Sequence, residues 1–240
     1  MPARPGPSGG SDSSGGPSGP GSSGGTTAGS ATAEGTQGAY ALAQSRGQEA
    51  LRSGLLEVAA ALLTAEGPSA LTMRRIAAEA GCSTTVLYRL FGGKDGIADA
   101  LYREGFDRLR RKLESVEPGD DPAAYLAALG RAYRENALTE HNFYGVMSGQ
   151  AVPGYLPDEK ARAAAAASLE LLRTAARECV ATGVFRADSD VDEITDTLWA
   201  AAHGVISLER AGHFPGDLGE RRFRTLTGAA ARSFQAAAAE

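Results

Sequence analysis

Apolar residues recur at helical spacing almost everywhere after residue 40, and no run of four or more residues alternates convincingly between apolar and polar. The pattern predicts an all-α fold. Leu51, Leu55, Val58 or Ala59, and Leu62 form a first stripe that ends near Gly67-Pro68. Thr72 is placed to cap a short helix containing Ile76 and Ala77, which Gly81 stops in the left-handed conformation. Ser83 is placed to cap a second short helix through Leu87, Leu90 and Phe91, before Gly92-Gly93 breaks the chain. Ile97, Leu101 and Leu109 then mark a longer connecting helix that leaves this three-helix unit.

Farther on, Asp121-Pro122 reads as N-cap and first-turn proline of a helix bearing Tyr125, Leu126, Leu129 and Tyr133. A shorter segment around His141, Phe143, Tyr144 and Met147 follows. The alanine-rich stretch from Asp158 to Thr182 predicts one helix, stopped by Gly183. Asp190 with Glu193, and Asp217 with Glu220, have capping-box spacing ahead of the last two helices. The first of these carries two apolar stripes, Val191, Ile194, Leu198 and Trp199, His203, Ile206, which predict two packing partners, one of them a second subunit. The pattern yields eight or nine helices and no internal repeat.

Composition changes the picture at the N-terminus. Residues 1–40 hold 12 of the 31 glycines and 5 of the 11 prolines, with serine in most of the gaps. So few apolar side chains cannot offset the entropy of ordering, and a disordered tail is expected over 1–40. A three-helix unit is expected over 41–94 and a second helical domain over 95–240. No stretch approaches the 18 apolar residues of a membrane span, and the start of the chain lacks a signal peptide's apolar segment, so a cytoplasmic protein with no membrane partner is expected. Cys82 and Cys179 are too few and isolated for a disulfide framework or a zinc site.

The net charge of -5 argues against indiscriminate attraction to phosphate, but it is unevenly spread. Residues 41–113 carry 11 Lys/Arg against 8 Asp/Glu, whereas residues 114–240 carry 12 against 19. The basic excess coincides with the segment LTMRRIAAEAGCSTTVLYRLFGGKD, residues 71–95. Its physics is that of a helix-turn-helix: Ala77 and Ala80 allow two helices to cross closely, and Gly81 makes the turn. Apart from the core positions Leu87 and Phe91, the second helix offers Thr84, Thr85, Tyr88 and Arg89, all hydrogen-bond donors, and no carboxylate.

This segment resembles the DNA-binding signature of the TetR family of transcriptional regulators. The resemblance rests on the threonine before the first helix, the Ile-Ala-x-x-Ala-Gly core, the Leu-Tyr-x-x-Phe end of the recognition helix and the lysine shortly after. It implies that Arg74, with Met73 beside it, lies where the first motif helix nears DNA, and that Thr84, Thr85 and Val86 lie where the recognition helix enters the major groove, with Thr72 and Ser83 as further DNA-binding candidates next to them. Tyr88 and Lys94 are implied at phosphates, with Arg89 suited to either task. Many family members have Gly-Thr where this chain has Thr85-Val86, so its base-facing surface is less polar. Residues 199–204, WAAAHG, also resemble the Trp-x-x-x-His-Gly signature of one TetR subgroup.

The family implies a homodimeric repressor that binds a palindromic operator in double-stranded DNA and is released by a small-molecule effector, here unidentified. Tyr133, Phe143, Tyr144, Met147, Leu172, Trp199 and His203 are the expected pocket residues, and Gly204, Ile206, Phe223 and Leu226 the expected dimer contacts. Packing alone is the alternative reading for Trp199, His203 and Tyr88. No enzyme, cofactor or metal is expected: Gly92-Gly93-Lys94 lacks the rest of a P-loop, and no His-Glu-x-x-His or Glu-x-x-His pair exists. The competing functional reading is an all-α dimeric ligand-binding or scaffolding protein without sequence-specific DNA binding, with a helical-bundle enzyme third.

Overall fold

The structure is a computed structural model that describes residues 30–148 and 151–235. Ten α-helices and one 3-10 turn make up the described residues, with no strand. The chain divides into a unit ending at Gly47 and a compact unit over Gln48–Glu240. Helix α1 is Ser30–Glu66, so the expected tail is corrected at its inner end: residues 30–40 are helical, in a stretch that has no proline and three alanines beside Gly35 and Gly38. Residues 1–29, the rest of that expectation, lie outside the described residues. Burial on α1 begins well inside the second unit, with Leu55, Leu56, Ala59, Ala60, Leu62 and Leu63 in the core, while Leu51 stays exposed.

The 3-10 turn Pro68–Ala70 leads to α2, Met73–Ala80, and α3, Thr84–Phe91. Thr72 Oγ1 accepts the Arg75 amide at 3.2 Å, and Gly81, at φ 64°, ends α2 in the conformation that a side chain would strain. Ser83 occupies the N-cap of α3, but its hydroxyl makes no capping bond among the described residues. Helix α4, Lys94–Glu114, runs from the end of α3 into contact with α5 (Pro122–Thr139), α6 (His141–Met147) and α7 (Glu159–Ser168). Asp121 caps α5 through the amides of Ala123 and Ala124.

The alanine-rich stretch is not one helix but two, α7 and α8 (Glu170–Ala181), broken at Leu169. Alanine propensity does not prevent the break: Leu169 packs inward, and the Ala166 carbonyl accepts from the Leu169 amide at 3.1 Å and from the Arg173 guanidinium at 3.2 Å. Helix α9, Val191–Arg210, packs against α5, α8 and α10 (Leu218–Arg232). Asp190 caps α9 through the amides of Asp192 and Glu193. Asp217 does not cap α10: its backbone is already helical, and its carboxylate pairs instead with Arg221 at 3.4 Å. A bidentate pair, Arg134 with Glu209, ties α5 to α9.

Two expected dimer contacts are corrected here. Ile206 is fully buried and Phe223 is 3% exposed, both inside the subunit. At 100° per residue, Ile194, Thr195, Leu198, Ala202, Val205 and Ile206 fall within one arc of roughly 120°, a single broad face made necessary by three neighbouring helices. Trp199 and His203 mark the edge of that arc. The free arc of α9 carries Ala200, Gly204, Ser207 and Leu208, and Leu226 projects from α10 at 47% exposure.

Candidate nucleic-acid interface and ligand cavities

Helix α3 is held from behind. Leu87 and Phe91 are buried in the core shared with α1, α2 and α4, and Val86 and Leu90 are half-buried against it. Ser83, Thr84, Thr85, Tyr88 and Arg89 are left on the outer side, where Thr84 and Tyr88, and Thr85 and Arg89, sit one turn apart as two adjacent ridges. Tyr88, 55% exposed, is not a core aromatic. The segment from Gly81 to Gly93 contains no carboxylate, and the free amides at the start of α3 favour anionic groups.

Cations flank this surface. Arg74, Arg89 and Lys94 are exposed and make no ion pair among the described residues. Arg75 is different: its guanidinium bonds Glu66 at 2.6 Å and Glu79 at 2.8 Å, clamping α2 to the end of α1 and lowering the Glu66 pKa. Two expected contacts change role. Met73 is buried and packs the motif from within, because the residue after the Thr72 cap turns into the core; Val86 is half-buried and presents only part of itself. Cys82 is half-buried in the turn, and Cys179 is fully buried, which raises its thiol pKa to about 11 and removes thiolate character at neutral pH.

The C-terminal helices enclose two cavities of about 350 Å³ each, within the range of small-molecule sites. One lies between α5, α8, α9 and α10, with Leu126, Leu129, Leu172, Leu198 and Phe223 among its walls. The other is lined by Phe106, Tyr133, Tyr144, Met147, Trp199 and His203. Tyr133 and Trp199 line both, and the indole N–H donates to the Tyr133 hydroxyl at 3.1 Å. Six of the seven expected pocket residues therefore face a cavity. Phe143 is the exception: it is buried under the Arg108 guanidinium, 4.0 Å from its ring centroid, and faces neither space.

Tyr144 Oη lies 2.7 Å from His203 Nδ1. Burial lowers the His203 pKa below its ordinary value of 6.5, so the neutral ring accepts the tyrosine proton, while burial raises the Tyr144 pKa. The unfolded chain takes up the histidine proton first as the pH falls. The stability that this pair contributes is thus complete above about pH 6.5 and is lost as the pH drops below that value. His203→Gln should flatten the fall in melting temperature between about pH 7.5 and 5.5. Parallel curves for the two proteins would place the acid sensitivity elsewhere.

Sequence reasoning missed Arg108. It pairs with Glu57 of α1 at 2.5 Å, with Glu104 of α4 at 2.8 Å and with Glu140, between α5 and α6, at 2.6 Å. Charge spacing identifies only the Glu104 partner, one turn away on the same helix.

Known proteins share this arrangement. Residues 55–101 match the family described as "Bacterial regulatory proteins, tetR family", and residues 126–230 match "Tetracyclin repressor-like, C-terminal domain". Over 168 residues the chain is 31% identical to the HTH-type transcriptional repressor KstR2 of Rhodococcus jostii, a match covering 65% of this chain and 79% of that one. It superimposes on a protein with unknown function from Rhodococcus sp. RHA1 with a TM-score of 0.67 and 28% identity, covering 78% of this chain and 96% of that one. For the TetR family transcriptional regulator PfmR of Thermus thermophilus, the TM-score is 0.62 at 25% identity, with 74% and 97% covered. With the helix-turn-helix, the helical C-terminal region and these relatives in agreement, the chain belongs to the tetR family of bacterial regulatory proteins.

Proposed function

We propose that the chain is a cytoplasmic, homodimeric transcriptional repressor that binds a palindromic operator and is released by a small molecule held among its C-terminal helices. The observation that carries this reading is the outer face of the segment Ser83–Arg89: five exposed hydrogen-bonding side chains, Arg89 among them, no carboxylate, and exposed cations at Arg74 and Lys94 beside it that make no ion pair among the described residues. Thr84, Thr85 and Arg89 read base edges, and Tyr88, Lys94 and the Ser83 hydroxyl hold phosphates. Thr72 serves by capping α2, which aims Arg74. The repressor name of the Rhodococcus jostii relative supports the direction of regulation. The exposed arcs of α9 and α10, with Gly204 and Leu226, form the dimer contact; a Cβ at Gly204 meets nothing within 4 Å, so a second backbone can approach there. Tyr133, Tyr144, Met147, Leu172, Trp199 and His203 form the effector site, and Trp199, His203 and Gly204 support assignment to the Trp-x-x-x-His-Gly subgroup.

Coupling between the two ends has a physical route. Met147 lines one cavity and packs on α4 so tightly that a Cβ at Gly105 would lie 2.6 Å from its Cγ. A ligand that displaces Met147 therefore moves α4, and Arg108 carries the movement to Glu57 on α1. The two recognition helices of a dimer must meet successive major grooves about 34–36 Å apart, so a small change in their separation weakens binding.

Selection of bound sequences from random DNA followed by footprinting tests this reading. Thr84→Ala should cost on the order of 1 kcal/mol at the selected site and little on random DNA. Lys94→Ala should weaken both and flatten the salt dependence, because one fewer phosphate is neutralised. Equal discrimination between operator and random DNA after replacement of Arg74, Thr84 and Thr85 together would refute it in favour of a ligand-binding protein without sequence-specific DNA contact.

A further inference from the structure

The cavity between α5, α8, α9 and α10 has a charge asymmetry that neither DNA recognition nor the Tyr144–His203 pair uses. Its interior is apolar, with Leu126, Leu129, Leu172, Phe185, Leu198 and Phe223, and no aspartate or glutamate among the described residues lines it. Two arginines do: Arg131 of α5 and Arg224 of α10. Both are exposed, which sets them at the opening, and neither makes an ion pair among the described residues. Arg134, less than one turn along α5, is by contrast committed to Glu209 through two hydrogen bonds. The two helices also approach each other here: a Cβ built on Gly130 would lie 3.8 Å from Cζ of Phe223, and Arg131 and Arg224 are the next residues along each helix. Two like charges at one apolar opening repel, and an anion between them relieves that repulsion while accepting charge-assisted hydrogen bonds.

We propose that this cavity takes an amphipathic anion, its elongated apolar body among these side chains and its carboxylate or phosphate group at Arg131 and Arg224. The inference rests on the reading of the chain as a ligand-responsive regulator and gives the chemical class of ligand taken by that part of the effector site which Tyr133, Leu172 and Trp199 line. Burial of the apolar body supplies affinity, whereas the guanidinium groups orient the molecule and reject others. A neutral alcohol of the same length fills the cavity but leaves the arginines to water. A cation of that length meets repulsion.

Trp199 lines this cavity and is the single tryptophan of the chain, so its emission reports occupancy with no DNA present. The full chain is titrated, below the micelle threshold of each probe, with dodecanoate, dodecyl phosphate, dodecanol and dodecyltrimethylammonium. At least one anion should bind tenfold or more tightly than dodecanol, with the cation weakest, and the tighter anion identifies the head group. In the double variant Arg131→Gln, Arg224→Gln, anion affinity should fall to the level of dodecanol, whose own affinity is unchanged. Dodecanol binding as tightly as both anions overturns the proposal, as does silence from all four probes. Undiminished anion binding by a double variant that melts like the parent also overturns it. Operator affinity measured on the same samples separates the two readings: intact operator binding without anion binding refutes the effector class alone, whereas anion binding without operator recognition leaves this site standing and refutes the regulator.

Discussion

Gly96→Ala is expected to deprive the protein of operator binding, whereas Gly93→Ala, three residues earlier, is expected to be tolerated. A Cβ at Gly96 would overlap the carbonyl oxygen of Phe91, the last residue of α3, with the Phe91 carbonyl carbon 2.9 Å away. Backbone cannot swing aside as the end of a long side chain can, so α3 and α4 must separate. The forced shift costs about 1–3 kcal/mol, the range for overpacked sites. It falls on the junction that aims the recognition helix, so operator affinity should drop at least tenfold, which is about 1.4 kcal/mol. At Gly93 an added Cβ meets nothing within 4 Å, and its extended backbone suits any residue. Gel-shift affinity and melting temperature for the two variants check this. Equal operator affinity in both would show that the α3–α4 junction does not position the DNA-reading surface.

Phe223→Glu should unfold the C-terminal helices, while Leu226→Glu, three residues on, should leave them folded and split the dimer. Phe223 is 3% exposed in the core, on a helix packed against α9. Losing a buried aromatic ring costs about 3–5 kcal/mol, and an unpaired buried carboxylate adds several more. That sum rivals the roughly 5–15 kcal/mol by which a domain is stable. Leu226 faces outward, so a charge there costs the single subunit little, whereas in a contact between subunits it is desolvated in both copies. Denaturant midpoint beside sedimentation mass distinguishes the outcomes. A folded, dimeric Leu226→Glu protein would move the interface off the exposed arc of α10, and a stable Phe223→Glu protein would contradict its burial.

The chain's local instructions were legible without a structure. Thr72, Asp121 and Asp190 cap the helices that they were expected to cap, Gly81 and Gly92 end α2 and α3 with positive φ, and the exposed donors of α3 follow from one helical turn of spacing. Each of these depends on neighbours within about four residues, so residue order alone determined them. Contacts between distant segments did not have that property. Helical periodicity marks an apolar face but not how many helices cover it, which is why Ile206 and Phe223 suggested a second subunit when α9, packed against α5, α8 and α10, and α10, packed against α9, already bury them inside one subunit. The same limit hid the inward turn of Met73, the seat of Phe143 beneath Arg108 and the break at Leu169. It also hid that Arg131 and Arg224, nearly a hundred residues apart in the chain, line one apolar cavity. Tertiary structure decided all of these, because whether a side chain is core, interface or ligand contact is set by what packs opposite it, and that partner comes from elsewhere in the sequence.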